Sequence, residues 1–267
     1  MTGAADTPEA SRPVPAGAGQ RFGPLLERRD GVDFPYYNGV PVGLTSMQWL
    51  LAWLSVVAGF AALVLLPQPN AVVALLPRVL FTAIPLIVLA ILTGPHWRAL
   101  FRRVSGRDVV TMIGFAGLNL VVSVALGLLV RSVFGVAENK VTDNIDGVVE
   151  TIAFYAGTGI QLVGEELFTI MPLLALLFFL TAKAGLSRNA AALAAWLITA
   201  AWFAAAHLPT YDWNFAQAFI VIGGARLVLT LAYIRTKNLW VCAGAHIIND
   251  WVLFTPTVLA GAALAAI

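Results

Sequence analysis

Several side chains able to move protons or hold an anion stand in segments that otherwise read as lipid-soluble: Glu165, Glu166, His207, Arg226, His246, Asn249 and Asp250. An ionised side chain at the centre of a bilayer costs at least about 2.5 kcal/mol, so such residues are usually retained for work. Glu165 and Glu166 are adjacent, hence about 100° apart on a helix, and must aim at different targets. His207 ends "FAAAH", with Phe203 one turn below it on the same face, and Pro209 then stops the helix. His246 and Asp250 are i, i+4 in "HIIND" and share a face, with Asn249 one position round. A carboxylate with a neutral imidazole can bind and deprotonate water. A second imidazole beside an Asn or Asp can steady the oxyanion of a tetrahedral intermediate. The set suits hydrolysis of an amide without a Ser or Cys nucleophile. The bland alternative is that these groups are hydrogen-bonding glue between helices.

The elements that must position them are set by composition. The chain has 267 residues, 60% hydrophobic and only 11% charged, with a mean hydropathy of +0.85. Soluble domains carry roughly 25% charged residues, so this is an integral membrane protein. The expected fold is all-α, a polytopic helix bundle with seven to eight transmembrane helices. About 20 apolar residues cross the hydrocarbon, which marks spans near 46–66, 71–93, 109–131, 148–182, 189–208, 215–234 and 238–256. The 148–182 stretch is either one steeply tilted helix or two pieces broken around "GTGIQLVG", and a short apolar tail, 257–267, follows "TPT". Residues 1–45, rich in Pro, Gly and charge, are expected to be a disordered arm, with "FPYYNGVPVG" at the membrane interface; residues 46–267 form the transmembrane domain. The one cysteine, Cys242, lies in an apolar segment and permits no disulfide framework.

Orientation follows from the Lys and Arg clusters. Arg12, Arg21, Arg28 and Arg29 precede the first span; Arg98, Arg102, Arg103 and Arg107 follow the second; Lys183 with Arg188, and Arg235 with Lys237, mark two later loops. Alternate counting puts all of them on one side, so a multi-pass protein of the cell membrane with a cytoplasmic N-terminus is expected. His207 then closes its span near the outer side, whereas His246 begins close to the inner one. For both to share a site, "LPTYDWN" must dip into the bundle as an irregular segment lining a cavity, which lipid tolerates only under a cover of protein.

The quoted motifs resemble those of the CAAX-protease and bacteriocin-processing enzymes, the glutamate-type intramembrane proteases also called Abi or CPBP proteins. That family carries EExxxR, FxxxH and HxxxN/D in order on successive helices, matched here by "EELFTI" (165–170), "FAAAH" (203–207) and "HIIND" (246–250). "RTKNLWVCAGAH" resembles the stretch before the last motif, and the resemblance covers roughly 148–254. It implies that Glu165 with His207 activates the water, and that His246 with Asp250 or Asn249 forms the oxyanion site, as an intramembrane, metal-independent endopeptidase. Many members have Asn where this chain has Asp250; an Asp donates a hydrogen bond only when protonated. The family arginine is missing, replaced by Ile170. Arg226 in "VIGGARLVLTLAY" is the candidate to pair with Glu166 in its place; otherwise the chain is a non-catalytic scaffold or immunity relative.

The implied partners are a peptide or protein substrate, lipidated or membrane-associated, and the bilayer itself. No cofactor or metal is called for, and the net charge of +2, spread over short loops, gives no nucleic-acid face. Two other readings use the same residues: a proton-coupled transporter relaying through Glu and His, and a di-metal enzyme with Glu165, His207 and His246 as ligands. No inverted repeat supports the first, and HExxH is absent for the second.

Overall fold

The computed structural model describes residues 21–28, 30–142, 145 and 147–265. The part of the expected disordered arm over 1–20, together with Arg12 and Arg29, lies outside the described residues. The described chain is helical: α1 (Ser46–Leu65), α2 (Leu75–Thr93), α3 (Gly106–Phe134), α4 (Gly147–Phe178), α5 (Arg188–Ala206), α6 (Gly223–Thr236) and α7 (Leu239–Ala265). Among the described residues six helical segments are long and apolar enough to cross a membrane, and the chain is a multi-pass membrane protein. Starts are specified locally. Thr45 accepts from the Gln48 amide while the Gln48 side chain accepts from Thr45 N, a reciprocal cap that Ser105 and Asp108 repeat at α3. The 148–182 stretch is one helix, unbroken at Gly159, ending in a π-type turn over Phe179–Lys183. The tail beyond "TPT" is no separate piece, because α7 runs through Pro256.

The central element is α4, packed against α1, α2, α5 and α7. Gly157 and Gly164, seven residues apart and so on nearly one face, meet α2. A Cβ at Gly164 would lie 2.7 Å from both the Phe81 ring and Thr82 Oγ1, and one at Gly157 would lie 2.7 Å from Arg78 Nη1. Small residues let apolar helices approach this closely, and Thr82 Oγ1 donates to Ile160 O at 2.8 Å across the contact. With one face of α4 committed to α2, the stripe Thr158, Gln161, Leu162 and Glu165 is left to line a cavity against α3, α6 and α7.

The described part of the arm, expected to be disordered as far as residue 45, packs against the bundle, with the aromatic residues of "FPYYNGVPVG" turned into its core. Phe34, Tyr36 and Tyr37 are buried in the core beside Tyr233 and Leu100. What holds them is a charge network that composition does not reveal. The Glu27 carboxylate accepts from Arg188 Nη1 and Nη2 at 2.6 and 2.8 Å and from Lys237 Nζ at 2.9 Å, with Arg21 adding a contact at 3.1 Å. Asp33 accepts from Arg188 and from the Tyr37 hydroxyl, and the Phe34 ring lies under both Arg188 and Lys237. The arm thus ties the ends of α5 and α6 together. Burial alone would raise the Glu27 carboxyl, but the Arg188 hydrogen bonds and the Lys237 charge hold it down at about 2.

The stability that Glu27 contributes is complete above its ordinary value of 4.5 and is lost as pH falls from there towards 2. Limited proteolysis of the arm should therefore accelerate over that acid window. At neutral pH, Glu27→Gln should cost about 3 kcal/mol, because Arg188 and Lys237 are left buried without their shared anion. Thermal unfolding in detergent checks the second point.

Candidate active site

The structure gathers Glu165, Glu166, Phe203, His207, Arg226, His246, Asn249 and Asp250 around one cavity of about 730 Å³, all but Glu166 among its lining residues. Glu166 sits behind the wall. Its two oxygens accept from Arg226 Nη1 and Nη2, each at 2.8 Å, and both side chains are fully buried. This two-pronged pairing is geometry that a guanidinium makes and an ammonium does not. Ile170, where the resembled motif has arginine, is itself fully buried in the core. The cation at Glu166 therefore comes from α6 instead of from one turn along α4. Arg226 also reaches Thr230 Oγ1 and lies 5.0 Å over the Phe203 ring.

The same Glu166 carboxylate accepts from His246 Nδ1 at 2.8 Å. A carboxylate bound to arginine is ionised and can only accept, so Nδ1 carries the proton and Nε2 is left to face other groups. Those groups are Glu165 Oε2 at 3.8 Å and Asp250 Oδ2 at 3.7 Å, both beyond direct hydrogen-bond reach. Separations of this size suit a small bridging species, such as water or a substrate atom. Glu165 is oriented by its other oxygen, which accepts from Gln161 Nε2 at 2.8 Å one turn earlier on α4.

His207 has its tautomer fixed differently. Its Nδ1 donates to the Phe203 carbonyl at 2.8 Å, since a carbonyl only accepts, and Nε2 is the free nitrogen. Phe203 packs 4.4 Å from this imidazole and 6.4 Å from that of His246, centroid to centroid. Glu165 and His207 share the cavity without touching: among the described residues no nitrogen of His207 comes within 4.0 Å of a Glu165 oxygen, and the nearer imidazole is that of His246. α5 ends at Ala206, so His207 is its C-cap and sits on the turn that follows the helix.

The segment that bridges the depth difference is "LPTYDWN". A 3₁₀ turn over Pro209–Tyr211 buries Leu208 and Tyr211, and Asp212 and Trp213 adopt left-handed backbone at φ 49° and 60°. Pro209, Thr210, Tyr211 and Asp212 all line the cavity, with Leu208 and Tyr211 turned into the bundle and Thr210, Asp212 and Trp213 exposed at its mouth. Gln217 secures it, accepting from Ala137 N at 2.7 Å and donating to Ala137 O at 3.0 Å.

Asn249 spends one N–H on Asp250 Oδ1 at 2.8 Å, and its own Oδ1 is without a protein partner. Asn119, from α3, is buried on the cavity wall with neither polar atom bonded to protein. Gln161, Tyr211 and Asn119 were missed from the sequence. Gln161 had a usable signal, its i, i+4 relation to Glu165; the other two had none, because their partners are remote in the chain. Arg78, in an apolar span, is buried against the Phe154 ring and does not line the cavity.

Over residues 148–252 the chain matches the family model for Rce1-like proteins, described as type II CAAX prenyl endopeptidases, in agreement with the resemblance read from the three motifs. No curated protein and no solved structure matches the chain.

The Arg226–Glu166 pair should behave as a unit. Arg226→Met leaves a buried carboxylate alone and should cost about 3–5 kcal/mol. Combining it with Glu166→Gln should cost less than the sum of the single changes, by on the order of 2 kcal/mol. Unfolding of the four proteins in one detergent supplies the cycle.

Proposed function

We propose that this protein is an intramembrane endopeptidase in which Glu165 and His207 activate a water and His246 receives the negative charge of the attacked carbonyl. The observation that carries the reading is that two imidazoles with fixed tautomers leave Nε2 free at a cavity that also holds the Glu165 carboxylate. The family match supports peptide hydrolysis as the reaction class. A water held between Glu165 Oε2 and His207 Nε2 gives up a proton to one of them as its oxygen attacks the peptide carbonyl carbon. The same proton then passes to the leaving amine as the C–N bond breaks, so the base returns to its starting state.

His246 is suited to the oxyanion. With Glu166 fixed against its Nδ1 proton, a second proton on Nε2 makes an imidazolium facing Glu165 and Asp250. Three carboxylates stand here against one arginine, and this proton reduces the imbalance. The Nε2–H then donates to the developing oxyanion, where its worth is greatest. Asp250 contributes a second donor when protonated, and Asn249 holds its other oxygen. The substrate is a peptide segment, and the bilayer is the medium that delivers it. The end of the bundle carrying the arm and its basic loops is read as cytoplasmic, in the cell membrane.

Glu165→Gln and His207→Ala should each lower the turnover of a quenched peptide by roughly 10²–10⁴-fold with unchanged helicity. Asp250→Asn should stay within about tenfold of the native rate, since an amide donates as a protonated acid does. Chelators should leave the rate unaltered. A rate that follows bound metal would favour a metalloenzyme, and solute flux into sealed vesicles without cleavage would favour a carrier.

A further inference from the structure

The two ends of the bundle differ in a way that bears on where the substrate comes from. The cavity is lined by Glu138, Asn139 and Val141, between α3 and α4, and by Pro209–Asp212, between α5 and α6. No residue of the arm, of 94–105, of 183–187 or of 237–238 lines it. Those latter segments form the opposite end, which is closed off from the cavity: Phe34, Tyr36, Leu44 and Leu100 are buried there, Glu27 ties the arm to Arg188 and Lys237, and the groove lined by Arg28, Asp30, Ser105, Arg107 and Arg235 shares no lining residue with the cavity. The closed end also carries the basic residues. Arg21, Arg28, Arg98, Arg102, Arg103, Arg107, Lys183, Arg188, Arg235 and Lys237 belong to it, whereas Arg131 and Lys140 are the Lys and Arg of the mouth end. An excess of Lys and Arg in short loops marks the cytoplasmic side.

We infer that the cavity takes its peptide from the extracytoplasmic face, so that the substrate is an extended, neutral or basic segment of an exported or membrane protein on that side. This rests on the peptidase reading for the word substrate, while the direction of access rests on the lining and the charges alone. A lipid-modified C-terminus held at the cytoplasmic surface would meet the closed end. Charge points the same way as shape. Glu138 and Asp212 stand at the mouth and Glu165 and Asp250 deeper, while Arg226, the one arginine among the described lining residues, is bound to Glu166. An acidic segment would enter against this field, and a basic one with it.

The chain's single cysteine, Cys242, is fully buried, which makes thiol labelling clean. Thr210→Cys, exposed at the mouth, should react with a membrane-impermeant maleimide on intact cells; Arg103→Cys, exposed at the other end, should react only after permeabilisation. The reverse pattern, or equal labelling of both on intact cells, would overturn the inference. Should Thr210→Cys fail to fold, Trp213→Cys reports the same face. A quenched peptide flanked by lysines should be cut when added outside intact cells, several-fold faster than its glutamate-flanked counterpart. Equal or faster cutting of the acidic peptide would overturn the stated substrate chemistry. The expected labelling with no cleavage from either side would sink the peptidase reading and leave the direction of access standing.

Discussion

A fully buried carboxylate held by both prongs of a fully buried guanidinium is the constraint on which the rest of the site depends. Without Arg226, Glu166 could not stay ionised in the middle of an apolar bundle. Without an ionised Glu166, His246 would lose the acceptor that fixes its tautomer and turns Nε2 to the cavity. The pair also joins α4 to α6, and through His246 to α7, so the three helices are registered against each other by one carboxylate. Phe203 extends the link to α5, with Arg226 over its ring and His207 against it. A single charge pair therefore does in the membrane what a hydrophobic core does in water, where lipid supplies no such drive for helices to associate.

Ile170 takes its meaning from that arrangement. A cation one turn along α4 would satisfy Glu166 from within its own helix; a cation on α6 satisfies it only when α4 and α6 are packed. The chain has moved the charge from a local to a tertiary position without changing what Glu166 does for His246. Loss of the arginine from the first motif is consequently no evidence of a dead site, since the role it would play is filled at 2.8 Å from another helix.

How much was legible in the sequence depended on what kind of force acted. The helices were largely readable, because lipid demands apolar length and every backbone group must be satisfied internally, although α7 runs on through Pro256 to Ala265. Arg226 was readable for the converse reason, as a charge too costly in mid-span to lack a partner. The arm was not readable: Glu27 is held by residues 161 and 210 positions away, and nothing in its local composition announces them. Asn119 was missed because a lone neutral polar side chain in an apolar helix stands out only once a cavity is in front of it. The end of α5 was readable because Pro209 stops the helix just after His207, and the structure has His207 as its C-cap.

The same asymmetry between ends separates a hydrolase from a carrier. Alternating access requires each end of the bundle to open in turn around a fixed site. Here the basic end is held by a carboxylate that three cations share, and by the Phe34 ring packed beneath two of them. Opening it would expose Glu27, Arg188 and Lys237 at once, and much of their mutual stabilisation would be lost together because they act through one group. A peptidase needs only one mouth, a wall that fixes the imidazoles, and water that can enter and leave with the product. The cavity beside Glu165 is lined by residues of one end and walled by the Glu166–His246 contact that fixes an imidazole, an arrangement that suits the proposed peptidase without requiring the basic end to open.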